Sequence, residues 1–197
     1  SLLFLRNIRK LQISSLLRKM SKPKMSMKLV VIGDGSVGKT TLLHRYINRE
    51  FIDTTTMTIG VDFYVKEIEI EDTICQLNLW DISGQDRFFF MVDKYMRGAS
   101  GALLLYDITS MTSFVNLDKW VKILREKNTS NSEIPIILIA SKYDLEEYSI
   151  VGDLYAKKKQ TNLGLIDYIK TSSKTGKNVD LAFKSIAKYI LEQKKSD

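Results

Sequence analysis

Three short runs of the chain are almost wholly apolar: Leu29-Val30-Val31-Ile32, Ala102-Leu103-Leu104-Leu105-Tyr106 and Ile136-Ile137-Leu138-Ile139-Ala140. Each is the length of a strand and is bounded by polar residues, glycine or proline, as in strands covered on both faces of a parallel sheet. Between them apolar residues recur at helical spacing. Phe114, Leu117, Val121 and Leu124 form one stripe, and Val179, Phe183, Ile186 and Ile190 another. A period of two appears in the segment between: Val61, Phe63 and Val65 alternate before a turn at Glu71-Asp72-Thr73, and Cys75, Leu77 and Leu79 alternate with Gln76 and Asn78 after it. That reads as an antiparallel hairpin. Strands alternating with helices, plus one hairpin at an edge, predict a three-layer α/β fold with a mostly parallel sheet.

Composition narrows the class. A chain of 197 residues with 44% hydrophobic content fits one domain with a full core. The single cysteine, Cys75, excludes a disulfide framework within the chain. No apolar stretch approaches the roughly 20 residues of a membrane-spanning helix. The net charge of +7 is unevenly placed: residues 1–28 carry eight Lys/Arg and no acid, leaving 22 basic and 23 acidic residues in the rest. A near-neutral body argues against nucleic acid as a partner.

The first apolar run leads into Gly33-Asp34-Gly35-Ser36-Val37-Gly38-Lys39-Thr40, which matches G-x-x-x-x-G-K-[ST]. Glycines allow such a loop to curl so that backbone N–H groups face phosphate oxygens, and the following helix adds its positive N-terminal end. Lys39 would reach the β- and γ-phosphates and the Thr40 hydroxyl would ligate Mg²⁺. The candidate phosphate-binding set is Asp34, Gly35, Ser36, Val37, Gly38, Lys39, Thr40 and Thr41. Further signals lie at the ends of later strands, where open α/β sheets bind ligands. They are Asp81-Ile82-Ser83-Gly84-Gln85, Ser141-Lys142-Tyr143-Asp144 and Ser172-Ser173-Lys174. Asp81 is a candidate to hold Mg²⁺ through water, and Gly84 to bring its backbone N–H to a γ-phosphate.

In this order the motifs resemble those of the small GTPases of the Ras superfamily, over nearly all of residues 27–194. Within that superfamily Thr58-Ile59-Gly60-Val61-Asp62-Phe63, Trp80–Phe88, Tyr95-Met96-Arg97-Gly98-Ala99 and Leu105–Ser110 are similar to Rab signatures. The resemblance implies a P-loop NTPase G domain. Its sheet would have six strands, mostly parallel with one antiparallel edge strand, and helices on both faces. It also implies a monomeric GTP/GDP switch that hydrolyses GTP in vesicle trafficking. Thr58 would ligate Mg²⁺ together with Thr40 and Asp81. Lys39, Gly84 and Gln85 would carry catalysis, Gln85 by orienting the attacking water. Gly35 would fall where a side chain crowds Gln85 and an incoming arginine. Phe51 would stack on the guanine edge, Asp144 accept from guanine N1 and N2, Lys142 cover the base, and backbone N–H groups of the Ser172-Ser173-Lys174 loop read O6. Phe63, Trp80 and Tyr95 match the aromatic triad that faces effectors, and exchange factors and GTPase-activating proteins would work through the same switch segments. The alternative is a nucleotide-holding interaction module with little hydrolysis, against which Gln85 and Gly35 speak.

Two departures stand out. Ser141 occupies the place of the family's asparagine, and a hydroxyl makes fewer hydrogen bonds than an amide, so weaker guanine nucleotide binding and faster GDP release are expected. The last residues, Gln193-Lys194-Lys195-Ser196-Asp197, hold no cysteine for prenylation. The expected organisation is a basic, flexible extension over 1–26, a G domain over 27–194 and a tail over 195–197. The acid-free, leucine-containing segment 1–28 is then the candidate for a peripheral membrane contact by a cytoplasmic protein, although its apolar residues scatter around a helical projection.

Overall fold

In the computed structural model, which describes residues 22–52, 60–85, 94–128 and 133–196, the apolar runs become the middle of one six-stranded sheet. Its strands are β1 (Lys24–Ile32), β2 (Val61–Ile70), β3 (Thr73–Ile82), β4 (Gly101–Asp107), β5 (Ile136–Ser141) and β6 (Asp167–Lys170), in the order β2-β3-β1-β4-β5-β6. All neighbouring pairs are parallel except β2 and β3, which form the predicted antiparallel hairpin through Glu71-Asp72. The order reverses between β1 and its neighbours β3 and β4. That opens a crevice at the carboxyl ends of the strands, where α/β sheets place ligands.

Five helices lie wholly among the described residues, α1 (Lys39–Asn48), α2 (Met111–Val115), α3 (Leu117–Lys127), α4 (Asp153–Asn162) and α5 (Val179–Ser196), with helical residues also at 94–96 and a 3-10 turn at Tyr143–Tyr148. Alternate residues of the central strands feed two cores. Leu29, Val31, Leu103, Leu105, Ile137 and Ile139 pack under α1 and α5. Val30, Ile32, Ala102, Leu104, Ile136 and Leu138 pack under α2, α3 and α4. This is the three-layer arrangement expected of strands buried on both faces. Packing is close where Gly101 meets α5: a β-carbon there would come within 2.9 Å of Ile190 Cδ1.

Some local expectations shift. The stripe Phe114–Leu124 spans two helices, because Asn116 interrupts the run between α2 and α3. In β2, Phe63 and Val65 point outward, 49% and 50% exposed, whereas Tyr64, Ile68 and Ile70 join the core. As the edge strand, β2 has only one face covered, and its alternation is set by that cover. β1 begins at Lys24, so residues 24–26 of the expected extension pair with β3, and α5 continues past 194 to Ser196. Both described termini meet the hairpin turn: Lys22 bonds Glu69, and Lys195 Nζ lies 2.7 Å from Glu71 Oε2. Residues 1–21 of the extension lie outside the described residues. No helix among the described residues is long and apolar enough to cross a membrane.

The clamp of α1 and α5 over the sheet rests on Tyr46 and Phe183, both buried, with stacked rings 3.8 Å apart. Replacing Phe183 by Ala removes that contact and leaves a cavity, and should lower the unfolding free energy by about 3–5 kcal/mol. Urea unfolding of both chains at one fixed GDP concentration measures it.

Candidate functional site

The glycine loop folds as its motif demands. Gly33, at φ 137°, lies so close to β4 that a β-carbon would sit 2.3 Å from the Leu105 carbonyl oxygen, so no other residue fits. Gly38, at φ 95°, is the N-cap of α1. Ser36 also has a left-handed φ of 64°, a conformation that costs a side-chain-bearing residue roughly 1–2 kcal/mol. Gly35 and Ser36 are exposed, Val37 is buried and Thr41 half-buried on α1. A β-carbon at Gly35 meets no described protein atom within 4 Å.

Lys39, at the start of α1, turns back over the loop. Its ammonium donates to the carbonyls of Gly33 (2.9 Å) and Asp34 (2.6 Å) and is buried. Burial pushes its pKa down to about 8, against the opposing pull of Asp81 and Asp34.

Next to it, Thr40 donates its hydroxyl to Asp81 Oδ2 at 2.5 Å, from α1 to the end of β3. Asp81 is fully buried, and its other oxygen, Oδ1, has no hydrogen-bond partner among the described residues. Burial raises the Asp81 carboxyl above its usual range, only partly countered by Thr40 and Lys39. An orphaned carboxylate oxygen beside a hydroxyl is chemically suited to a hard divalent cation such as Mg²⁺, which takes one or two protein oxygens and leaves the rest to phosphate and water. No cluster of three or more His, Cys, Asp or Glu that could hold a metal occurs among the described residues. Gly84 sits flat on the loop: a β-carbon there would come within 2.3–2.4 Å of the backbone of Gly33, Asp34 and Gly35. Gln85 follows it at the rim, half-buried, and Thr58 lies outside the described residues.

The third and fourth signals meet at the ends of β5 and β6. Ser172, buried, donates to Asp144 Oδ1 at 2.6 Å and accepts the Thr175 N–H, so the acid is aimed by the neighbouring loop. Lys142, at φ 60°, ion-pairs with Asp107 at 2.6 Å. Arg45 of α1 grips this region from below: Nε donates to the Ser173 carbonyl at 2.6 Å and a second nitrogen to the Lys174 carbonyl. Ser141 is buried and keeps a tie to the phosphate loop, its Oγ lying 2.6 Å from the Val37 carbonyl and 2.8 Å from that of Tyr106. One hydroxyl proton thus serves two acceptors. Phe51 is 39% exposed.

Phe63, Trp80 and Tyr95 form a continuous aromatic row, with centroids 4.7 Å and 5.2 Å apart, across β2, β3 and the segment before β4. Sequence reasoning passed over Arg45, Asp107, Asn116 and Trp120. Asp107 had a signal, an acid at a strand's carboxyl end. Arg45, Asn116 and Trp120 sit within helical segments and act through contacts distant in sequence.

A strand, a glycine loop with its lysine folded back, a helix, and an acid ending the neighbouring strand define the P-loop class of nucleotide-binding domains. The family model described as Ras family matches residues 28–192. The chain is 38% identical over 176 residues to Ras-related protein RABG3f of Arabidopsis thaliana, covering 87% of this chain and 85% of that protein. It is 38% identical over 175 residues to Ras-related protein Rab7 of Prunus armeniaca, covering 87% and 84%. It is 36% identical over 181 residues to the Ypt/Rab-type GTPase YPT7 of Saccharomyces cerevisiae, covering 90% and 87%. The chain belongs to the Ras family, as a Rab-like small GTPase.

Two measurements test this geometry. Ser141→Asn supplies two N–H groups where the hydroxyl has one proton, and should slow GDP release by about threefold or more. Fluorescent-GDP chase measures it. In the nucleotide-free chain, native Lys39 gives up its proton near pH 8 and unfolded Lys39 near 10.5. Between these values the unfolded state binds more protons, so stability rises with pH, by on the order of 1–3 kcal/mol. Comparing the pH slopes of wild type and Lys39→Met from pH 7 to 10 isolates this contribution.

Proposed function

We propose that the chain cycles between GTP- and GDP-bound forms through the residues assembled at the carboxyl ends of β1, β3, β5 and β6, as a switch in membrane trafficking. The observation that carries this reading is the pairing of a buried, lowered-pKa Lys39 with an orphaned Asp81 oxygen beside Thr40. A cation and an unsatisfied acid at one loop call for a phosphate and a divalent cation together.

On this reading the loop from Asp34 to Thr41 holds the phosphates, with Lys39 at the outer ones. Thr40 and Asp81, joined by Thr58, would hold Mg²⁺, which when bound supplies positive charge against the phosphate oxygens. Gly84 brings its backbone N–H to the γ-phosphate, and Gln85 orients the water that attacks it. The base is read at the other end of the crevice. Asp144, aimed by Ser172, accepts from guanine N1 and N2, and Lys142 covers the ring. Phe51 stacks at the base's edge, and the backbone around Ser173 and Lys174, steadied by Arg45, reads O6. Effectors and regulators dock on the row of Phe63, Trp80 and Tyr95. The relatives named for Rab7 and YPT7 support a trafficking role for this chain. Its domain would act as a monomer over residues 27–194, and the basic segment that precedes β1 would touch the membrane surface.

Mass analysis of nucleotide co-purifying with the chain in Mg²⁺ should find GDP or GTP, and ATP would overturn the guanine assignment. In single-turnover assays Gln85→Leu should bind GTP as wild type does and hydrolyse it at least about tenfold more slowly. Unchanged hydrolysis would remove Gln85 from the water-positioning role.

A further inference from the structure

We infer that Asp34 is a positioning residue whose carboxylate, held by Asn116 and Trp120, fixes the phosphate loop for nucleotide retention. The inference rests on the nucleotide-binding reading of that loop. Asp34 poses a problem there, because an acid in a loop built to receive phosphates repels its own ligand. The side chain resolves it by leaving the loop on the far side. Asn116 Nδ2 donates to Oδ2 at 2.7 Å, and Trp120 Nε1 donates to Oδ1 at 2.8 Å. Each carboxylate oxygen therefore has its own N–H donor, in charge-assisted bonds of normal length.

Both donors are rigid. Asn116 is the residue that interrupts the run between α2 and α3, with its N–H on the Thr112 carbonyl and its own carbonyl accepting from Trp120 N. Trp120 is fully buried in the core under β4 and β5, so its indole cannot follow a moving loop. The carboxylate thus ties the phosphate loop to the α2–α3 layer of the fold.

What hangs from that tie is considerable. The Asp34 carbonyl is one of two that seat the Lys39 ammonium. The Asp34–Gly35 backbone is the surface on which Gly84 rests. Beyond it, Gly35 and Ser36 are exposed, so the loop's outer limb has its side-chain anchor at Asp34. Losing a donor would both loosen this limb and release an unpaired negative charge beside the phosphates. Asn116 and Trp120 touch no phosphate themselves and act only through Asp34.

The test measures release of fluorescently labelled GDP, with Mg²⁺ present, from the full chain and from Trp120→Phe, Asn116→Ala, Asp34→Ala and the double variant Asp34→Ala/Trp120→Phe. Melting temperatures are recorded alongside. Trp120→Phe keeps the packed ring and loses only the N–H, and should speed release by about tenfold at temperatures far below melting. Because the two residues share one bond, the double variant should release GDP no faster than Asp34→Ala alone. Asp34 is part-exposed, so Asp34→Ala gives a folded readout even where a helix variant fails to fold, and it should accelerate release. Unchanged release in the folded single variants, or effects that multiply in the double variant, overturns the inference. Failure of the unaltered chain to bind GDP overturns the nucleotide reading beneath it.

Discussion

A buried ammonium sets the terms for this site. Lys39 sits almost out of water, and two backbone carbonyls of its own loop are the means of holding it there. Those carbonyls face inward only if the chain curls tightly between β1 and α1. The curl is possible because Gly33 presses on the β4 backbone and Gly38 takes a left-handed φ at the helix cap. The acid that ends β3 is drawn toward the same point, its burial balanced by Thr40 and Lys39. The phosphate loop and the buried acid at the end of β3 are therefore one electrostatic unit, in which no member is comfortable without the others.

The end of the crevice formed by β5 and β6, proposed to read the base, is built differently. Its groups are held by charge-assisted hydrogen bonds and an ion pair: Ser172 donates to Asp144, Lys142 pairs with Asp107, and Arg45 donates to two loop carbonyls. Arg45 is notable because it rises from the helix that starts with Lys39. A rotation of α1 would reach the phosphate and base ends together. Ser141 makes a second link, reaching the Val37 carbonyl with a single proton that it shares with Tyr106.

Much of this was legible in the residues. The continuous apolar runs marked β1, β4 and β5, since burial on both faces leaves no other pattern, and the glycine-lysine spacing located the phosphate loop. Less visible were elements with little to bury. In α4 only Ala156 is buried, and in β6 only Ile169, so neither carries a readable stripe. The outward turn of Val65 was hidden, because alternation alone does not say which face of an edge strand is covered, and that of Phe63 was implied only by the family resemblance. The supporting side chains escaped for a related reason. Trp120 reads as another apolar residue of a helix, and Asn116 as a surface amide, until the fold brings them to Asp34 from more than eighty positions away.

One feature of the layout concerns how the molecule can be moored. Lys22 and Lys195 both end at the β2–β3 turn, while Asp81 and the phosphate loop lie at the other end of β3, ten residues along. At about 3.3 Å per residue that is some 30 Å. A leash fastened at either terminus would therefore pull on the pole opposite the nucleotide. Tension on a leash at Lys22 would load β1 in shear along its ladders with β3 and β4 rather than peel apart the loops at the carboxyl ends of the strands.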